Sequence, residues 1–198
     1  MPVVQLRTVA IASVACASLL AACGGSSSNS GSPATSSSPS TSAGPGTTEH
    51  VAKLASKNPS ESAKMICESE AANDIYNQAT GVKTIKPFKP TWVDHVYSCA
   101  YVYPNGAVMR LSVKELSSDA ETTAYFDSLA QKLGKEKDQA IGQGAFTTKN
   151  GDLVVRKDYK VLLVDVSKLP ASFGVPADTR ENVAINVGAT IMSCWTGA

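Results

Sequence analysis

An uncharged stretch, residues 24–48, most constrains what this chain can fold into. It consists almost wholly of Ser, Gly, Thr and Pro, and it contains no Asp, Glu, Lys or Arg. Such a composition buries too little apolar surface to offset the entropy cost of ordering the backbone. We therefore expect a flexible tether here. The folded domain must then form from residues 49–198, which are numerous enough to build one core.

The segment before the tether has the layout of a secretory signal. Arg7 precedes a run of apolar and small residues, 9–20, that is too short to cross a hydrocarbon core about 30 Å thick. The segment ends in Leu-Ala-Ala-Cys at residues 20–23, followed by Gly-Gly-Ser. This ending resembles the lipobox of bacterial lipoproteins. The resemblance implies cleavage between Ala22 and Cys23, with a diacylglyceryl group on the sulfur of Cys23.

Lipidation would decide where the protein resides. Each buried methylene contributes about 0.8 kcal/mol, so two or three acyl chains hold a protein firmly at a membrane. We therefore expect residues 1–22 to be a signal peptide, 23–48 a lipidated tether, and 49–198 a domain anchored to the extracytoplasmic side of the cell membrane. With 18 Lys and Arg against 17 Asp and Glu, the chain has no basic surplus to neutralise phosphates. Nucleic acid is therefore not an expected partner.

Three helices are predicted from start and stop signals. The first begins in the run Asn58-Pro59-Ser60-Glu61, the second at Asp119, and the third at a capping box formed by Asp178 and Glu181. Apolar residues at helical spacing follow each start. A glycine then marks each end, and these glycines are Gly81, Gly134 and Gly197.

Segments rich in β-forming residues occupy the sequence between these helices. Residues 96–103 and 107–114 flank a Pro-Asn-Gly turn, and a third β-region begins near Gly144. Residues 153–156 and 161–166 flank a hairpin turn, whereas Lys135 to Asp138 reads as a charged loop. The order α-β-β-α-β-β-β-α predicts an α+β fold, in which about three helices cover one face of an antiparallel sheet.

Three cysteines lie in the domain: Cys67, Cys99 and Cys194. Export to an oxidising compartment favours one disulfide and leaves one thiol over. Cys67 with Cys99 is the favoured pair, because the first helix should pack beside that strand. Cys67 with Cys194 is the alternative, and the remaining thiol is expected to be buried. No metal site is expected, because the sequence has no CxxC or CxxH spacing.

The domain also resembles a family. Met65-Ile66-Cys67, residues 91–101, residues 111–115 and the run Met-Ser-Cys-Trp-Thr-Gly at 192–197 are similar to segments of small actinobacterial, mycobacterial-type lipoproteins. That group has no assigned activity. The resemblance therefore implies a location in the cell envelope, and it carries no catalytic residue over to this chain.

Few residues suggest chemistry. His95 follows Asp94, but the chain has no GxSxG motif, and adjacent strand residues point to opposite faces of a sheet. The Gly-Gln-Gly run at 142–144 lacks the features of a nucleotide loop, so no cofactor is expected. Tyr97, Tyr101 and Tyr103 share one strand face, where they are either packed under a helix or exposed to a ligand. The candidate ligand-facing residues are Trp92, His95, Tyr97 and Tyr101.

The sequence favours a non-enzymatic, lipid-anchored domain that binds an envelope ligand or a partner protein. One alternative is an envelope hydrolase or thiol-redox protein that uses His95 or a free cysteine. Another is an accessory subunit of an export or signalling complex. No catalytic residue is predicted under the favoured interpretation.

Overall fold

The computed structural model describes residues 57–86 and 88–195, and a seven-stranded antiparallel sheet organises them. The strands are β1 (Thr91–Val93), β2 (Val96–Val102), β3 (Val108–Glu115), β4 (Lys135–Gln139), β5 (Gly144–Thr148), β6 (Leu153–Lys157) and β7 (Lys160–Lys168). Their order across the sheet is β1-β2-β3-β7-β6-β5-β4. A separate two-stranded ribbon joins β8 (Ser172–Phe173) to β9 (Asp178–Thr179). The predicted α+β class is therefore confirmed, with more strands than the predicted order contains.

The predicted hairpin forms between β6 and β7. Val155 faces Leu162 and Leu153 faces Val164, so both pairs present apolar side chains to one side of the sheet. The turn between β2 and β3 is also where the sequence places it, and Gly106 supplies its positive φ of 79°. These elements were predictable because period-two alternation and turn residues agree there.

Two edge strands escaped prediction. The segment Lys135 to Asp138, interpreted as a loop, forms most of β4 at one edge of the sheet. All four of its side chains are exposed, and charged edge strands discourage pairing with other chains. At the opposite edge, β1 joins β2 through a two-residue turn at Asp94 and His95, whose φ angles are 50° and 57°. Neither edge shows the apolar alternation that predicts a strand.

The predicted first helix is broken into four pieces. They are α1 (Glu61–Lys64), a 3₁₀ turn (Met65–Cys67), α2 (Ser69–Ile75) and a π turn (Tyr76–Thr80). Glu68 interrupts the helix with an extended backbone at φ −87° and ψ 159°. The cause is tertiary, because Cys67 is bonded to Cys99 and the Ile66 carbonyl accepts a hydrogen bond from the Tyr101 hydroxyl. Gly81 ends the segment in the left-handed conformation, as predicted.

The helix caps lie one or two residues from the predicted positions. Ser60 caps α1, Ser118 caps α3 (Asp119–Leu133), and Thr179 caps α4 (Arg180–Cys194). A Ser or Thr hydroxyl therefore caps each helix, and the predicted start residues Asn58, Asp119 and Asp178 do not. Asp178 and Glu181 do not form a capping box, since the Glu181 carboxylate binds Lys137 and Thr147 instead. Gly134 ends α3 as predicted, whereas Gly197 lies outside the described residues.

The helices cover both faces of the sheet and not one. On the first face, α4, α1, α2 and the adjoining turns pack on side chains that include Leu162 and Val164; we call this the α4 face. On the opposite face, α3 packs on β4–β7 around Phe146, Val154 and Val161; we call this the α3 face. Alternation along β7 makes the division inevitable, because Val161 and Leu162 must point to opposite sides.

Candidate ligand-binding cleft

The predicted tyrosines lie under the N-terminal helical segment. Tyr101 is fully buried, and its hydroxyl donates a 2.6 Å hydrogen bond to the carbonyl of Ile66. Its ring centroid is 4.5 Å from that of Phe88. Burial raises the pKa of Tyr101, and burial is also the main cause of the raised pKa of the half-buried Tyr97. Tyr101 is therefore a packing residue and does not face a ligand.

Trp92 and His95 meet at the hairpin between β1 and β2. Their ring centroids are 5.6 Å apart and their planes are perpendicular. The Trp92 indole donates a 3.0 Å hydrogen bond to the carbonyl of Lys57. The buried Nδ1 atom of His95 has no hydrogen-bond partner among the described residues, so Asp94 does not orient the ring through that nitrogen. Asp94 and His95 occupy the turn between β1 and β2, and they are not adjacent strand residues as the sequence analysis assumes.

The disulfide is the favoured pair. Cys67 and Cys99 are both buried, with their Cα atoms 5.9 Å apart. The alternative pairing of Cys67 with Cys194 is wrong, because Cys194 is a free thiol near the end of α4. Cys194 is also exposed, which corrects the expectation of a buried thiol. The neighbouring Trp195 takes the buried position. Ala22 and Cys23 lie outside the described residues.

The structure forms a cleft that the sequence argument did not anticipate. It lies between the π turn 76–80 and the loop 174–178 of the β8–β9 ribbon, and α4 contributes one wall. Its volume is about 250 Å³. The lining residues are Asn77, Gln78, Ala79, Gly81, Val175, Pro176, Ala177, Asp178 and Asn186. We call this the amide cleft, because three of its side chains are primary amides.

Two glycines hold the walls of the amide cleft together. The Val175 amide donates a 2.8 Å hydrogen bond to the carbonyl of Thr80. Gly81 has φ +61°, and a Cβ atom there would lie 2.1 Å from the Val175 carbonyl oxygen. Gly174 has φ +105°, and a Cβ atom there would lie 2.9 Å from the Thr80 carbonyl oxygen. Only glycine fits either position, so the backbones are in direct contact and the cleft is preformed.

Most polar side chains of the amide cleft make no hydrogen bond within the described part of the chain. Asn77, Gln78 and Asn186 are exposed, and their side chains make no hydrogen bond to another described residue. Asp178 is different, because its Oδ1 atom accepts hydrogen bonds from the Thr179 amide at 2.7 Å and from Asn182 at 2.8 Å. The three amides therefore remain available as donors and acceptors.

A second cleft of about 270 Å³ lies on the other side of the same loop. Its lining is mainly apolar: Val82, Pro104, Asn105, Pro170, Ser172, Phe173, Gly174 and Ala177. The Phe173 ring packs against the Tyr103 ring at a centroid distance of 4.7 Å. Burial raises the pKa of Tyr103. Phe173 of its lining belongs to the core of the α4 face and Val82 packs against that core, and the polar side chains of the lining are Asn105 and Ser172.

A third cleft, of about 170 Å³, lies beside the start of α4. Two of the charged residues in its lining, Arg180 and Glu181, are already paired within the fold. Lys137 donates to both carboxylate oxygens of Glu181, at 3.1 and 3.2 Å, and Arg180 donates to the carbonyls of Ser167 and Leu169. Nearby, burial raises the pKa of Asp152, whose carboxylate accepts hydrogen bonds from the Val166 amide and the Thr148 hydroxyl. We interpret this region as structural.

None of these three clefts is lined by Trp92, His95, Tyr97 or Tyr101. The sequence does not predict the amide cleft, because the run from Tyr76 to Thr80 has the pattern of a continuing helix. A π turn has no sequence signature of its own, although such turns are frequent at functional sites. The available signal was the Pro- and Gly-containing segment 170–177, since a long connection before a helix often carries function.

Comparison with protein-family models, with curated proteins and with solved structures gives no significant match. Within residues 57–86 and 88–195, no group of three or more His, Cys, Asp and Glu side chains is placed to hold a metal ion. The helices in the same part of the chain are all too short or too polar to span a membrane.

Proposed function

We propose that this chain is a lipid-anchored, extracytoplasmic domain that binds a component of the cell envelope through the amide cleft. The observation that carries the proposal is the cleft itself, in which two glycine contacts fix the walls and three amides have no partner in the described part of the chain. Ligand sites are typically preformed concave surfaces with a few well-placed polar groups. The activity is binding and not catalysis.

Two features of the chain support an extracytoplasmic location, and the first of them also supports the lipid anchor. The first is the signal segment that ends at Ala22 and Cys23. The second is the buried disulfide between Cys67 and Cys99, because structural disulfides form and persist in oxidising compartments outside the cytoplasm. The lipid on Cys23 would make the membrane itself a partner of the protein.

Localisation of Cys23→Ala tests the anchor. We expect this variant to lose the acyl adduct and to leave the membrane fraction or accumulate unprocessed, because no other thiol stands at the cleavage site. Cys16→Ala is the matched control, since Cys16 lies within the discarded segment, and it should be processed normally. Membrane retention of Cys23→Ala with normal processing and an unacylated N-terminus would contradict the anchor.

The thiol-redox alternative rests on one observation, the exposed thiol of Cys194. Reactive cysteines are partly exposed thiols with a stabilised thiolate. Labelling rates of the intact protein separate the candidates. If Cys194 reacts no faster than a free cysteine in an unfolded peptide, the binding function stands. A much faster reaction would favour the redox protein.

The accessory-subunit alternative predicts co-purification of Cys23-anchored protein with an export or signalling complex.

A further inference from the structure

We propose that the amide cleft recognises a neutral sugar unit of an envelope glycan. The inference rests on the binding function proposed above and names its ligand class. It follows from three properties of the cleft: unpaired amides, absence of basic groups in its lining, and an apolar wall.

The unpaired amides match the hydrogen-bonding pattern of a polyol. Each side chain of Asn77, Gln78 and Asn186 offers one carbonyl acceptor and an NH₂ group with two donors. A sugar hydroxyl both donates and accepts, and adjacent hydroxyls on a ring present these roles side by side. An amide can therefore donate to one hydroxyl and accept from the next.

The charge of the lining disfavours an anionic ligand. The lining residues include no Lys, Arg or His, and Asp178 is their only charged member. A phosphate or carboxylate ligand would therefore meet a negative group without a compensating cation. Arginine or lysine is the usual partner of such anions. Among polyols, the lining therefore favours neutral sugars over anionic ones.

The loop supplies an apolar wall opposite the amides. Val175 is 70% exposed although it is a large aliphatic side chain, and Pro176 and Ala177 continue the same wall. The C–H face of a pyranose or furanose ring can pack on such a surface and bury its own apolar area. The volume of about 250 Å³ lies just below the roughly 300–1,000 Å³ of pockets for drug-sized ligands. The cleft therefore suits one sugar ring at a time.

Titration of the full-length lipidated protein with neutral disaccharides tests the inference. The protein is held in a detergent without a sugar headgroup, and side-chain amide signals are followed by NMR. The probes are disaccharides of glucose, mannose, galactose and arabinose, with a glucuronic acid disaccharide and a mannose phosphate as anionic comparisons. We expect at least one neutral probe to shift the amide signals of Asn77, Gln78 and Asn186 at millimolar concentration, and the anionic probes to bind more weakly.

Two variants and one control localise the binding. Asn77→Ala and Asn186→Ala should each weaken binding of the neutral probe about tenfold, because each removes a hydrogen-bonding group from the site. Their thermal unfolding midpoints should be unchanged, since neither amide has a hydrogen-bond partner among residues 57–86 and 88–195. Asn73→Ala removes an exposed amide of α2 outside the cleft and should leave binding unchanged.

Two outcomes would overturn the inference. One is the absence of binding by every neutral probe at millimolar concentration, and the other is binding that Asn77→Ala and Asn186→Ala leave intact. Failure of the sugar inference is distinguishable from failure of the proposed function. If anchored protein captures a non-sugar envelope component and Asn77→Ala abolishes that capture, the binding function stands and only the ligand class is wrong.

Discussion

The two faces of the sheet differ in how much of the fold depends on them. The α4 face contains the disulfide, the fully buried tyrosines Tyr101 and Tyr103, and a continuous apolar core that runs from α1 to α4. The α3 face has a small core in which Leu129 of α3 packs with Phe146, Val154 and Val161. Most side chains of α3 are exposed or half-buried.

The strands explain this difference. On the α3 face, β2 and β3 present small or polar side chains such as Ser98, Arg110 and Ser112, and α3 packs only near β4–β7. On the α4 face the same strands present Met109, Leu111 and other fully buried residues. Hydrophobic stabilisation scales with the apolar area removed from water, so we infer that the α4 face dominates stability. It also carries the helical segment and the loop that form the amide cleft.

The largest expected effect compares one leucine from each face. Leu162→Ala on the α4 face should lower the free energy of unfolding by about 4 kcal/mol, because Leu162 is fully buried in a core with little room to collapse. Leu129→Ala on the α3 face should cost about 2 kcal/mol, near the lower end of the range, because α3 is free to settle. Urea unfolding measures both values. Equal losses in the free energy of unfolding would contradict the inference that the α4 face dominates stability.

Removing the disulfide should have the next largest effect. Replacing Cys67 and Cys99 together by Ser should lower the free energy of unfolding by about 3–4 kcal/mol, from the entropy of closing a loop with a sequence separation of 32. The control is Cys194→Ser, which changes an exposed thiol and should leave stability nearly unchanged. In the double variant, the helix break at Glu68 should also partly disappear. Hydrogen exchange should then show increased protection of the backbone amides of residues 64–70. If the double variant is as stable as the wild type, the disulfide does not contribute to the stability of the α4 face.

A pair of tyrosines on the same strand gives a smaller effect. Tyr101→Phe should cost about 1–2 kcal/mol, because it leaves the buried carbonyl of Ile66 without its donor. Tyr97→Phe removes a hydroxyl from a half-buried side chain and should cost much less. Thermal or urea unfolding of the two variants measures the difference. Similar losses would show that the hydrogen bond to Ile66 is not what holds the broken helix to the sheet.

The smallest expected effect is on pH dependence at the polar rim of the α4 face. Burial raises the pKa of Asp152 above its ordinary value of 3.8, so the folded protein binds this proton more tightly than the unfolded chain. Stability should therefore fall as pH rises from about 3.8 through the raised value, and Asp152→Asn should flatten that part of the profile. Urea unfolding across this range checks the slope. An unchanged slope in the variant would assign the pH dependence to another group.

Prediction succeeded where local signals and tertiary packing agree. The β6–β7 hairpin was predictable because apolar alternation and turn length both set the same register. Prediction failed in the first helix, where the spacing of Ile66, Ala71 and Ile75 indicates one uninterrupted element. The break at Glu68 depends on Cys99 and Tyr101, which lie more than thirty residues away in sequence. No local pattern records that contact.

The candidate site shows the same limit. Trp92, His95, Tyr97 and Tyr101 were chosen by residue type, since aromatic residues on one strand face are common in binding sites. The structure uses Tyr101 for packing and brings Asn77, Gln78 and Asn186 together instead. Those three amides belong to two segments that the sequence argument read as ordinary helices. The sequence could not predict that these amides lie close together, because this depends on how the π turn and α4 pack against the loop.

The sequence by itself determined the elements that depend on neighbouring residues. These are the α+β class, the turn at Gly106, and the helix ends at Gly81 and Gly134, while the signal and the tether stay predictions. Only the tertiary structure decided which face each helix covers, where the first helix breaks, and how Gly81 meets the loop at Val175. The reason is physical: periodicity and turn chemistry are local, whereas close backbone contact and the division of side chains between two cores depend on elements distant in sequence.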